Sequence, residues 1–142
     1  MNEGEKIAII DLDTGGRRIV ARGENPAWSP DGQWLAFIHF PSGRPARISL
    51  RVVRTDGTGE RTVFVQDPAG MRWPHYPSPG GWPREPLWSP DGRRIVFTKH
   101  FQSGHTLWII NADGTGLRRL ANRIEPAEFL GPGQATRRSD TE

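Results

Sequence analysis

Cysteine is absent from the 142-residue chain. That excludes disulfides and thiolate metal sites and leaves the redox compartment undecided. No run of 18 apolar residues occurs, so no helical membrane span is expected. The opening stretch, MNEGEKIAII, lacks a basic region, an apolar core and a small-residue cleavage site, so no signal peptide is expected and the compartment stays unknown. Lysine is scarce: two lysines stand against 17 arginines, and the formal net charge is only +3. The arginines are spread among acids rather than gathered in a stripe, which argues against a nucleic-acid partner. Present in excess are glycine (17) and proline (13), which favour many turns and oppose long helices.

The turns repeat. WSPDG stands at 28–32 and again at 88–92. An apolar strand follows each copy (QWLAFIHF at 33–40, RRIVFTKH at 93–100), then a Gly/Ser turn, then a second apolar run (RISLRVV at 47–53, LWII at 107–110). TDGTG (55–59) and ADGTG (112–116) come next, each before a last strand. The second half of the unit also opens the chain, with KIAIIDLDTGGRRIVA at 6–21 aligning with 107–121 and Asp13 expected to match Asp56 and Asp113. The step from Asp13 to Asp56 is 43 residues, within the ~40–45 of a four-stranded propeller blade.

Leu35/Phe37 and Ala36/Ile38 make both faces of one strand apolar, as do Leu107/Ile109 and Trp108/Ile110. Such strands are expected to be buried on both sides, as in stacked blades. In Ser-Pro-Asp-Gly, proline presets φ, aspartate suits the third turn position and glycine accepts the left-handed fourth. Asp-Gly in DGTG favours a hairpin. Trp28 and Trp88 are expected to pack between blades.

PAWSPDGQWLAF and PLWSPDGRRIVF, each followed by DGTG, resemble the WD-like "PD" repeat of the TolB-like β-propeller family, which also occurs in propellers of prolyl-oligopeptidase-type peptidases. The resemblance covers roughly residues 5–65 and 86–121 and implies fold far more than function. Relatives of the TolB type are periplasmic. The expected fold is all-β: a partial β-propeller of about two and a half four-stranded antiparallel blades, over residues 1–123. It divides into a half blade (5–22), a blade (24–65), an inter-blade insertion (66–86) and a blade (86–121). Residues 124–142 read as a degenerate repeat start, IEPAEFLGPGQ, followed by a polar tail expected to be flexible.

Propellers typically hold four to eight blades, so this stretch is not expected to close a ring alone. Three arrangements satisfy it: a piece of a larger propeller, an open sheet stack, or a homo-oligomer that completes the propeller.

Antiparallel blades put the SPDG and DGTG turns on one face, and the remaining loops and blade crossings on the other. The long insertion, QDPAGMRWPHYPSPGGWPREP, lies on that second face with six prolines and three aromatics. Long loops and aromatic or arginine anchors mark binding surfaces. The candidate binding residues are therefore Arg72, Trp73, His75, Tyr76, Trp82 and Arg84, joined by Arg44, His100 and His105 from neighbouring loops. A proline-stiffened loop folded over the sheet edge explains the same residues without function. No G-x-S-x-G elbow, dinucleotide loop, H-E-x-x-H or complete calcium loop occurs, so no catalytic residue, metal or cofactor is expected. The reading is a non-catalytic protein-interaction or ligand-binding module with a protein partner. Its alternative is the propeller part of a peptidase, hydrolase or lyase whose catalytic residues lie outside this chain.

Overall fold

In a computed structural model, residues 5–41, 47–66, 82–101 and 104–124 are described. They form ten strands and no helix. β1 (Lys6–Ile10) and β2 (Arg17–Arg22) make a two-stranded sheet. β3 (Glu24–Trp28), β4 (Trp34–His39), β5 (Ser49–Arg54) and β6 (Arg61–Val65) make a four-stranded sheet in chain order. β7 (Trp82–Trp88), β8 (Arg94–Phe101), β9 (Gly104–Asn111) and β10 (Arg118–Ile124) repeat it. All pairings are antiparallel. The three sheets are called here the half blade, blade 2 and blade 3.

Blade 2 is buried on both faces, as its residue pattern requires. Leu35, Phe37 and Val53 meet Ile7, Val20 and Ala21 of the half blade. Ala36, Ile38, Leu50, Val52 and Val63 meet Trp88, Ile95, Phe97 and Ile110 of blade 3. The period-2 alternation of β4 thus divides one strand between two cores.

The turns explain their own sequence. Ser29 Oγ donates to Asp31 Oδ1 (2.6 Å) and accepts from the Trp34 N–H (3.0 Å), while Asp31 also accepts from the Gln33 N–H (3.0 Å). Ser89, Asp91, Arg93 and Arg94 reproduce the set. Asp56 Oδ1 accepts from the backbone and hydroxyl of Thr58, as Asp113 does from Thr115. In the first half-repeat the expected match fails at Asp13. There Asp11 closes the turn, accepting from the N–H groups of Asp13 (2.9 Å) and Thr14 (3.0 Å). The strands are joined at the same separation as in the other two repeats, but the closing bond runs from the Gly15 N–H to the Asp11 carbonyl, one residue wider than Gly57 to Arg54, and the carboxylate within reach of the N–H groups is the earlier one.

The expectation for the tryptophans holds for one of them. Trp88 is 6% exposed, and its Nε1–H donates to the Ala27 carbonyl at 3.1 Å. Trp28 is 55% exposed. It pairs with Leu35 across β3–β4 and so shares the face of blade 2 that meets the half blade. The half blade comprises only β1 and β2 among the described residues, and no strand stands where Ala27 stands for Trp88.

Candidate functional site

The SPDG and DGTG turns share one end of the sheets; Thr55 N–H, for instance, donates to Gln33 O between them. At this turn end the carboxylates are already engaged. Hydrogen bonds from Ser29 and Ser89 hold the pKa values of Asp31 and Asp91 below the ordinary carboxylate range. Those from Thr58 and Thr115 do the same for Asp56 and Asp113. A cleft of about 180 Å³ between the blades is lined by Ser29, Asp31, Trp34, Arg61, Trp88 and Ala112. It is smaller than the ~300–1,000 Å³ usual for ligand pockets. Arg61 spans it to donate to the Ala112 carbonyl at 2.6 Å. WSPDG is a scaffold element.

The opposite, loop end carries a different chemistry. Trp82 pairs with His100, and His100 with His105, so three of the expected binding residues stand in one row across β7, β8 and β9. Arg84 pairs with Thr98 two residues further in, where its carbonyl accepts from the Thr98 hydroxyl at 3.2 Å. Trp82 and Arg84 therefore belong to a strand, although they were expected within an insertion reaching residue 86. β7 is an edge strand, and an edge tolerates Pro83 and Pro86. Glu85 relieves the strand by a bulge with φ +51°, the counterpart of Asn25 at +52° in β3. Arg44, Arg72, Trp73, His75 and Tyr76 lie outside the described residues.

Two groups at this end were missed in the sequence. Lys99 is buried, with Nζ 4.2 Å from the ring centre of Trp108 and 4.6 Å from that of Phe64. Its desolvation pushes the amine pKa below the usual lysine range. The signal for it was weak: Lys99 alternates with Phe97 and Ile95, an apolar face on which a lysine needs a reason. Gln66, where β6 ends, has a buried Oε1 without a hydrogen-bond partner among the described residues. An unmade bond of that kind costs about 1–3 kcal/mol. Among the described residues, no three His, Cys, Asp or Glu side chains gather as a metal site would need.

No family model matches the chain. It is 31% identical over 135 residues to the Tol-Pal system protein TolB of Anaeromyxobacter dehalogenans (strain 2CP-C), a match covering 89% of this chain and 26% of that protein. It is 34% identical over 105 residues to the uncharacterized peptidase YuxL of Bacillus subtilis (strain 168), covering 71% of this chain and 14% of YuxL. Among solved structures, the putative TolB from Agrobacterium tumefaciens superposes with a TM-score of 0.60 at 22% identity, covering 86% of this chain and 40% of that one. The chain thus spans about a quarter of the length of the TolB protein it matches. The stacked antiparallel sheets, the duplicated Ser-Pro-Asp-Gly turns and these likenesses agree: the described residues form a partial β-propeller, and the chain is similar to TolB-like β-propeller repeat proteins.

Proposed function

We propose that this chain is a non-catalytic propeller module that binds a protein partner through its loop end. The observation that carries this reading is the division between the two ends. Turn-end carboxylates are spent on their own turns. The loop end gathers the Trp82–His100–His105 backbone row, the ring-bound Lys99 and a buried Gln66 oxygen that has no partner among the described residues. Aromatic and cationic side chains are what a protein partner can desolvate with gain. β6 ends and β7 begins at this end, and Arg72, Trp73, His75 and Tyr76 belong to the stretch between them in sequence, outside the described residues.

Association with a second copy, completing the propeller, is part of the same proposal. The likeness to YuxL favours a second reading, in which the chain is the propeller part of a peptidase whose catalytic groups lie elsewhere. The test is a pull-down with wild type and a Trp73→Ala/Trp82→Ala variant. A partner retained by wild type is expected to be lost by the variant while the far-UV circular dichroism stays the same. Unchanged capture removes the loop end as the site. Capture of a hydrolase domain, abolished by the same variant, supports the second reading.

A further inference from the structure

The two contacts between neighbouring sheets are built from equivalent positions, and one place in them is filled differently. Strand pairing fixes the equivalence. Ala21 pairs with Ile7 in the half blade as Phe64 pairs with Leu50 in blade 2. His39 pairs with Ser49 in blade 2 as Lys99 pairs with Thr106 in blade 3. Arg51 pairs with Phe37 as Trp108 pairs with Phe97.

Between blades 2 and 3 the place holds a ring. Phe64 lies 5.3 Å from Phe97, ring centre to ring centre, and the Lys99 Nζ is 4.6 Å from the Phe64 centre. Trp108 lies 4.2 Å from the same Nζ. Between the half blade and blade 2 the corresponding residues are Ala21, His39 and Arg51. Neither the phenyl nor the indole ring has a counterpart there. A cavity of about 330 Å³ opens instead, lined by Ile19, Val20, Ala21, Arg22, His39 and Glu60. It falls within the ~300–1,000 Å³ of ligand pockets, at the end that suits a single ring.

The polar groups of this cavity are acceptors. His39 Nδ1 lies 3.1 Å from the Arg22 carbonyl oxygen. A carbonyl only accepts, so Nδ1 carries the proton, and Nε2 of the neutral imidazole is left as an acceptor. Glu60 Oε2 accepts from Arg51 Nη1 at 2.8 Å, and Oε1 has no bond among the described residues. The Arg51 charge offsets that of Glu60, so no net charge is left to draw a cation. Arg22 follows Ala21 along β2, so its side chain belongs to the opposite face and its backbone forms the wall. Val20 and Ala21 make that wall apolar and buried.

We propose that this cavity binds a small neutral molecule with one aromatic unit and a hydrogen-bond donor on it, a phenol or an indole. Its ring takes the place that Phe64 fills in the next contact, and its O–H or N–H donates to Glu60 Oε1. His39 stands beside that ring as Lys99 stands beside Phe64. The assignment is independent of the partner surface proposed above, since Trp82, His100 and His105 do not line the cavity.

The test titrates p-cresol and toluene separately into the isotope-labelled full chain and follows the backbone amides by NMR. p-Cresol is expected to shift the amides of Ala21, His39 and Glu60 and to saturate with a Kd of roughly 1 mM, as suits about eight heavy atoms. Toluene, the same ring without the donor, is expected to bind about tenfold more weakly, the effect of losing a hydrogen bond to a charged group. Ala21→Phe restores the missing ring and is expected to abolish p-cresol binding with unchanged far-UV circular dichroism. Should that variant fail to fold, Glu60→Ala decides: p-cresol is expected to fall to the affinity of toluene, and toluene to bind as before. Shifts that do not saturate, or that spare Ala21, His39 and Glu60, overturn the site. So does p-cresol binding that survives in a folded Ala21→Phe. Equal affinity for p-cresol and toluene in wild type overturns the ligand class, as does a preference for p-cresol that persists in Glu60→Ala.

Discussion

Gly23 and Gly32 separate two reasons for glycine. A Cβ on Gly23 would lie 2.4 Å from the Ile38 carbonyl oxygen and 2.6 Å from the Phe37 ring, both parts of the most buried strand. A Cβ on Gly32 would meet nothing within 4 Å, and only its φ of +70° opposes a side chain. Gly23→Ala is therefore expected to cost more than about 2 kcal/mol, and Gly32→Ala about 1–2 kcal/mol. Urea unfolding of the two variants checks the order. The turn carboxylates give a second residue-scale prediction. Ser29 and Ser89 hold Asp31 and Asp91 more acidic in the folded chain than in the unfolded one, so protons bind the unfolded state more readily. The stability they confer is full above the ordinary carboxylate pKa and disappears as pH falls through the folded values. An Asp31→Asn/Asp91→Asn variant is expected to be less stable than wild type at pH 7, and the gap should close as both are titrated into strong acid. A gap of constant size would show that the two carboxylates are not the cause.

At the scale of strands and turns, Trp88 and Trp28 give opposite expectations from one motif. Trp88→Ala removes a buried ring and its hydrogen bond to Ala27 and is expected to cost about 3–5 kcal/mol. Trp28→Ala, at an exposed position, is expected to stay within about 0.5 kcal/mol. Here the legible and the illegible divide. Strands β4, β5, β8 and β9 could be read from the sequence because apolar residues occupy both faces, and the turns because Ser, Pro, Asp and Gly each meet a local need. The exposure of Trp28 could not, since it depends on a neighbouring strand rather than on the motif. Nor could the start of β7 at Trp82, because prolines mark breaks in sequence while an edge strand accepts them. Lys99 was equally hidden: one of the rings beside it, Phe64, belongs to another blade. For the site, strand register alone brings Trp82, His100 and His105 into a row, which spacing along the chain only suggested.

For the whole molecule, the stack should lose its parts in order. Sheets that contact only their neighbours have stabilities set by those contacts. The half blade has two strands and a single interface, whereas blade 2 has four strands and two. Hydrogen exchange is expected to be fastest in β1 and β2 and slowest in β4 and β5. Equal protection across the three sheets would mean that the chain unfolds as one unit.

The two repeats also differ in length, and the place of the difference matters. Trp28 and Trp88 are 60 residues apart, but Asp56 and Asp113 only 57. The missing three residues fall between β4 and β5, which β8 and β9 join by a tighter hairpin. The extra length between β6 and β7 falls at the same end. Every length change between the two whole blades is thus confined to one rim, while the other rim keeps its residue count and its Ser–Asp bonding intact. For protein engineering this defines a display scaffold: peptide segments grafted at the loop rim meet sites where the chain has already absorbed insertion, and the turn rim should be left untouched.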